Sequence, residues 1–197
     1  MPKLGRQLSG LIGFVGALMM TTNLAAEPQR PAQLVMQLTN ILRGVPPPAA
    51  VASTNGVEAH WTSRMFDVAG VGQWIMGKHW HTCTAAERQQ FLGLFSGYLG
   101  RVAYPQATTF FRNLDVRVVG EQIQAQQATV RTTVTHPREG LMHVDYGLVQ
   151  HLGHWRIRDI TFDGISLTLN FRAKVQQLIQ TQSCAELLQR MRKKIPD

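Results

Sequence analysis

Residues 154–170 read HWRIRDITFDGISLTLN and place two carboxylates, Asp159 and Asp163, four residues apart beside His154 and Trp155. Paired carboxylates do acid and base work when their surroundings push their proton affinities apart. Here Arg156 and Arg158 precede Asp159 as fixed positive charges, the setting of a structural anion rather than of a proton donor. Asp163-Gly164 is turn chemistry, suited to a corner between strand and helix. His79 and His81 flank Trp80, and Cys83 follows two residues later. Zinc would need further ligands at recognisable spacing, and no second cluster supplies them. A Cys83 nucleophile activated by His81 would lack a third, orienting group. The stretch GQWIMGKH, from Gly72 to His79, matches a phosphate-binding loop up to its last letter. It carries bulky Trp74, Ile75 and Met76, follows no strand, and has His79 where a magnesium-binding hydroxyl belongs. No nucleophile elbow, zinc-protease helix or cysteine-pair redox motif occurs, so the expectation is a protein that is not an enzyme, with no catalytic residue and no metal ligand.

Periodicity defines the elements around these residues. From Pro31 to Arg43, Leu34, Val35, Leu38, Ile41 and Leu42 recur at helical spacing, and GVPPP at 44–48 ends that helix. A second helical stretch begins over Val57 to Phe66, and FDVAGVGQWIMGKHW reads as short, closely packed helices. Thr84 and Glu87 form a capping box opening a helix that puts Phe91, Leu94, Phe95, Tyr98, Leu99 and Val102 on one face, with Pro105 expected to stop it. The period then changes to two. Leu114, Val116 and Val118 point one way, then Ala128, Val130, Thr132 and Val134, then Met142, Val144, Tyr146 and Leu148, then Trp155 and Ile157. Ser166 opens another helix bearing Phe171 and Val175, and Ser183 and Glu186 repeat the capping box before the last one. The order predicts an α+β fold: helices over 31–104, a four-stranded antiparallel curved sheet over 113–162, and helices over 166–194, in one domain spanning 27–197.

The chain has 197 residues, 44% of them hydrophobic and 16% charged, with a formal net charge of +8. Such a charge invites a nucleic-acid partner, but the N-terminus points elsewhere. Lys3 and Arg6 precede the apolar run from Leu8 to Met20, and TTNLAA brings small residues to a cut after Ala26. That layout is a cleavable secretory signal peptide over 1–26, the alternative being a retained anchor, and it places the mature chain in the periplasm. Exported basic proteins meet anionic lipid headgroups or acidic partners rather than nucleic acid, so no nucleic acid is expected. Cys83 and Cys184 are the two cysteines. An oxidising compartment would let them pair, and two separately buried thiols remain the alternative. Large apolar and aromatic side chains surround one sheet face. A filled core and a hollow cone with the same lining look identical at this level.

GKHWHTCTAAERQQFLGLFSGYLGRVAY, from Gly77 to Tyr104, and HWRIRDITFDGISLTLNFRAKVQQLI, from His154 to Ile179, resemble two conserved segments of MlaC-type periplasmic phospholipid-binding proteins, the toluene-tolerance auxiliary family. MFDVAGVGQWIMGKHW is similar to that family's short helical hinge, and the likeness extends to its hopanoid-associated branch (HpnM). The resemblance implies a nuclear-transport-factor-like cone of sheet and helices around an apolar pocket. It implies phospholipid or hopanoid as cargo, with no cofactor. Its partners would be an inner-membrane lipid ABC transporter complex with its lipid-binding substrate subunit, an outer-membrane lipoprotein, and transient contact with the membrane surface. A non-lipid envelope adaptor is the competing function. Where many relatives carry glycine and aspartate, this chain has Ser183 and Cys184, so the family lends no support to a bridge. Periodicity nominates the lipid-binding residues: Val130, Val144, Tyr146, Leu148, Trp155 and Ile157 from the strands. Trp74, Phe95, Leu99, Leu167 and Phe171 would close the pocket from the helices.

Overall fold

Each helix starts where the sequence can satisfy its first amides. The computed structural model describes residues 29–44, 62 and 64–195. Helix α1, Pro31–Leu42, begins with proline in its first turn, where a missing N–H costs nothing. Helix α2, Val68–Met76, is capped by Asp67, whose Oδ1 accepts from the Gly70 amide at 3.0 Å. A 3-10 turn over Gly77–Trp80 leads to α3, Ala85–Tyr98, which opens on the Thr84–Glu87 capping box. A π-helical turn, Leu99–Ala103, then passes into α4, Tyr104–Phe111. Pro105 was the expected stop; instead it occupies the first turn of α4, again the tolerated position, and the helical layer runs on to Phe111.

The sheet is a meander in the order β1 (Asp115–Gln124), β2 (Gln127–His136), β3 (Gly140–His151), β4 (His154–Phe162) and β5 (Ile165–Ser166), each strand antiparallel to the next. It has five strands rather than the expected four. Asp163 and Gly164 both sit at positive φ, 44° and 85°, the pair of angles a tight two-residue hairpin needs. The chain therefore folds back before the next helix, pairing Phe162 with Ile165. The register places Val130 opposite Tyr146 and Leu148 opposite Ile157 on the inner face. Between these and the next pairs, Gly147 with Asp159 and Tyr146 with Ile160, the register shifts and leaves Arg158 as an extra residue. That bulge reverses the alternation along β4.

Helices α5, Leu167–Ile179, and α6, Cys184–Arg192, complete the chain. Two apolar clusters result. One joins the inner sheet face to α1 and α4 through residues such as Leu38, Phe111, Val130 and Ile157. The other joins α2, α3, α5 and α6 through residues such as Ile75, Phe91, Val175 and Leu187. The cysteines are paired: Cys83–Cys184, with Cα atoms 5.9 Å apart, ties the approach to α3 to the first residue of α6. Among the described residues no helix is long and apolar enough to cross a membrane. The signal segment 1–26, residues 45–48 of the GVPPP stop and most of the helical stretch begun at Val57 lie outside the described residues.

Candidate functional site

The two clusters do not close on each other completely. Between them lies a cavity of about 560 Å³. Leu38 and Leu42 of α1, Phe110 and Phe111 of α4, and Met142, Tyr146, Ile160 and Phe162 of the sheet line one side. Val71 and Ile75 of α2, Phe95 and Tyr98 of α3, Leu99 of the π turn, and Leu167 and Phe171 of α5 line the other. The Phe171 ring stands 5.4 Å from both Phe95 and Tyr98, and Phe110 meets Phe111 and Phe162 edge-on at 5.1 and 6.0 Å. Exposed Gln106, Leu167, Asn170 and Lys174 mark the opening. The lining is thus mainly apolar and aromatic, with Asp67, Arg158 and Asp159 set into it and exposed polar groups at its edge, the character of a site for a hydrocarbon ligand with a polar end.

Local hydrogen bonds fix the wall formed by α5. Asp159 Oδ1 accepts from the Thr168 amide at 3.0 Å and from the Ile160 amide at 2.9 Å. Ser166 Oγ accepts from the Leu169 amide, and Thr168 Oγ1 donates to the Arg158 carbonyl. Asp163 Oδ1 accepts from the His143 amide at 2.8 Å, on the other side of the β4–β5 turn. Both aspartates that opened the chemical question are therefore engaged by backbone amides, Asp159 by those of β4 and the start of α5 and Asp163 by that of His143 in β3. Farther along, the Arg172 guanidinium lies 4.3 Å from the Trp74 ring centre and donates to the Trp74 carbonyl, while Gln176 donates to the Ile75 and Met76 carbonyls at 2.6 and 2.9 Å. These bonds satisfy the last carbonyls of α2, which a helix cannot pair internally.

Two polar groups lie deep in the wall. Asp67 Oδ2 is 3.3 Å from Arg158 Nε, an ion pair at the start of α2, and 3.5 Å from His151 Nε2. Tyr146 is 1% exposed, its hydroxyl has no hydrogen-bond partner among the described residues, and burial pushes its pKa up, so the phenol stays neutral. The phosphate-loop look-alike is helix. Gly72 is buried in α2, where a Cβ would come within 2.5 Å of Leu92 Cδ2, so glycine there serves close helix packing. Cys83, Glu87 and Cys184 fall together, but the two sulphurs are bonded to each other. Glu87 accepts from the Thr84 amide and hydroxyl, which hold its carboxyl below the usual carboxylate range.

Of the residues nominated from periodicity, Phe95, Leu99, Tyr146, Leu167 and Phe171 line the cavity. Val130, Val144, Leu148, Trp155 and Ile157 belong to the filled core of the sheet side. Trp74 lies outside, 39% exposed under Arg172. The bulge explains part of this distribution: it hands the inward face of β4 from Trp155 and Ile157 to Ile160 and Phe162. Phe110 was passed over because the helix was expected to stop at Pro105. The aromatic pair Phe110-Phe111, beyond Val102 at the end of the predicted face, was the signal in the sequence.

A family model described as MlaC protein matches residues 57–193. Among solved structures, the phospholipid-binding protein of Ralstonia solanacearum, determined in complex with a phospholipid, aligns with a TM-score of 0.64 at 20% identity, over 82% of this chain and 92% of that one. No curated protein sequence matches significantly. The α+β architecture with a curved antiparallel sheet is the one the Ralstonia protein shares.

Proposed function

The chain belongs to the MlaC family, and from that premise we propose that it is a lipid carrier, holding acyl chain in the cavity and leaving the polar head at the mouth. The observation that carries this is the 560 Å³ space lined by Phe95, Tyr98, Phe110, Phe162 and Phe171 between two otherwise filled cores. The Ralstonia protein, of the same fold, was solved with phospholipid, which supports the reading. At about 0.8 kcal/mol per buried methylene, a chain of roughly sixteen carbons resists entry into water by about 12 kcal/mol. A carrier removes that barrier by exchanging bilayer for a dry cavity, with no bond made and no cofactor.

Residues 1–26 would export the chain to the periplasm. There it would collect and deliver lipid between an outer-membrane lipoprotein and an inner-membrane ABC transporter with its lipid-binding substrate subunit, touching membrane surfaces transiently. The basic balance of the chain suits such encounters with anionic headgroups. Lipid extraction tests the function. Lipid-stripped protein incubated with phospholipid vesicles and separated by flotation should carry lipid into the vesicle-free fraction. Leu99→Trp, which puts a larger ring into the cavity, should lower that uptake while circular dichroism stays unchanged. No lipid in the vesicle-free fraction of the parent above that of a protein-free control would refute the proposal.

A further inference from the structure

We propose that the face formed by the start of α5 and the C-terminal end of α2 docks on an anionic bilayer surface and holds the cavity mouth against it; this rests on the carrier reading above and assigns the residues that make the contact. Charge is the first argument. The helical stretches 64–112 and 166–195 carry eleven lysines and arginines against three carboxylates. The sheet region, 113–165, carries five arginines against six carboxylates. Of the three helical carboxylates, Asp67 is buried beside Arg158, and Glu87 and Glu186 close the capping boxes of α3 and α6. Positive charge is therefore concentrated on the helices, and each lysine or arginine brought to an anionic lipid surface is attracted to it.

Exposed apolar side chains single out one part of that layer. Ile165, Leu167 and Leu169, around the first turn of α5, are 60%, 47% and 57% exposed. Leu167 also lines the cavity, so this tip belongs to the mouth. Beside it, half-exposed Trp74 of α2 lies under the Arg172 guanidinium. A Cβ on Gly77 would come 3.3 Å from an Arg172 guanidinium nitrogen, which places the next residue, Lys78, along the same seam between α2 and α5. Lys174 stands at the mouth. Both lysines are exposed and have no carboxylate partner among the described residues. Asp163, at the turn before Ile165, accepts from the His143 amide and lies 3.7 Å from His143 Nδ1.

Aliphatic side chains at a tip with cations set behind them suit a bilayer interface. The leucines and isoleucine enter the headgroup layer, while the ammonium and guanidinium groups meet phosphates. The position of this face next to the mouth favours a bilayer over an acidic protein. An acyl chain avoids water on its way into the cavity when the mouth meets the membrane that holds it, and entry into water is the step the chain resists.

Flotation tests this. The chain, with its disulfide intact, is mixed with vesicles of phosphatidylcholine alone or of equal parts phosphatidylcholine and phosphatidylglycerol. The parent should float with the anionic vesicles and far less with the neutral ones; equal flotation on both overturns the role of charge. Lys78→Gln combined with Leu169→Ser should lower anionic flotation at least about fivefold. Lys193→Gln combined with Lys194→Gln removes more charge, at the end of α6, and should lower it less. An equal or larger loss in that second variant assigns the attraction to overall charge and overturns the face. Leu169→Trp gives a second reading: its added emission should move to shorter wavelength on anionic vesicles, and unmoved emission overturns insertion of the tip. No flotation of the parent overturns the bilayer as partner, while lipid found in the same preparation by native mass spectrometry leaves the carrier function standing. A lipid-free parent in that measurement overturns the carrier function itself.

Discussion

At Tyr146 a buried phenol contributes apolar ring surface to the cavity and a hydroxyl with no partner among the described residues. An unsatisfied buried polar group costs about 1–3 kcal/mol, so Tyr146→Phe should stabilise lipid-free protein by about 1 kcal/mol in denaturant unfolding. A loss of stability in that variant would mean the hydroxyl is paired after all. Core and cavity residues should separate in the same way. Ile157, fully buried in the sheet-side core, should lose about 2–5 kcal/mol of stability on truncation to alanine, with lipid uptake per folded molecule kept. Leu99→Trp should do the reverse. Strand alternation made Tyr146 legible as inward-facing, and helical spacing did the same for Phe95 and Phe171. It did not reveal Ile160 and Phe162, because one extra residue at Arg158 reverses the parity of β4, and nothing local in HWRIRDITF marks a bulge. Asp159, read as a structural anion beside its arginines, has its carboxylate on the amides of Thr168 and Ile160.

Elements were most legible where their ends carry side-chain chemistry. The boxes at Thr84–Glu87 and Ser183–Glu186 announce α3 and α6, and both form. Backbone amides of Thr84 and Ser183 are the first cause holding Glu87 and Glu186 below the ordinary carboxyl value of 4.5. A depressed folded pKa gives stabilisation that is complete above the unfolded value and lost as the pH falls through the folded one. Glu87→Gln should therefore melt below the parent at neutral pH, and the gap should close as the pH falls below 4.5. The disulfide was not legible, since two cysteines separated by 101 positions give no clue to proximity without the fold. Closing so long a loop restricts the unfolded chain, so the double variant Cys83→Ser, Cys184→Ser should lose about 4 kcal/mol in denaturant unfolding. The two-residue β5 also escaped notice; its turn, Asp163-Gly164, was visible, but pairing on its far side depends on β4 being there to pair with.

For the whole molecule, pattern shows which faces turn inward but not whether those faces meet. The sheet face and the face shared by α2, α3 and α5 are both apolar by spacing, and both build cores of their own. The space between them is set by where α5 is fastened, through Asp159 at one end and Arg172 and Gln176 farther along. Long-range contacts of that kind leave no periodic trace. The hollow was accordingly an expectation drawn from resemblance to a family, while the sheet and most helices followed from the residues alone. Native mass spectrometry of the chain, purified without detergent and followed by identification of whatever mass it releases, tests the proposed carrier function most directly. The expected result is protein carrying lipid, and Leu99→Trp protein carrying less. Parent protein emerging at its bare polypeptide mass, with no lipid recovered by extraction, would contradict it.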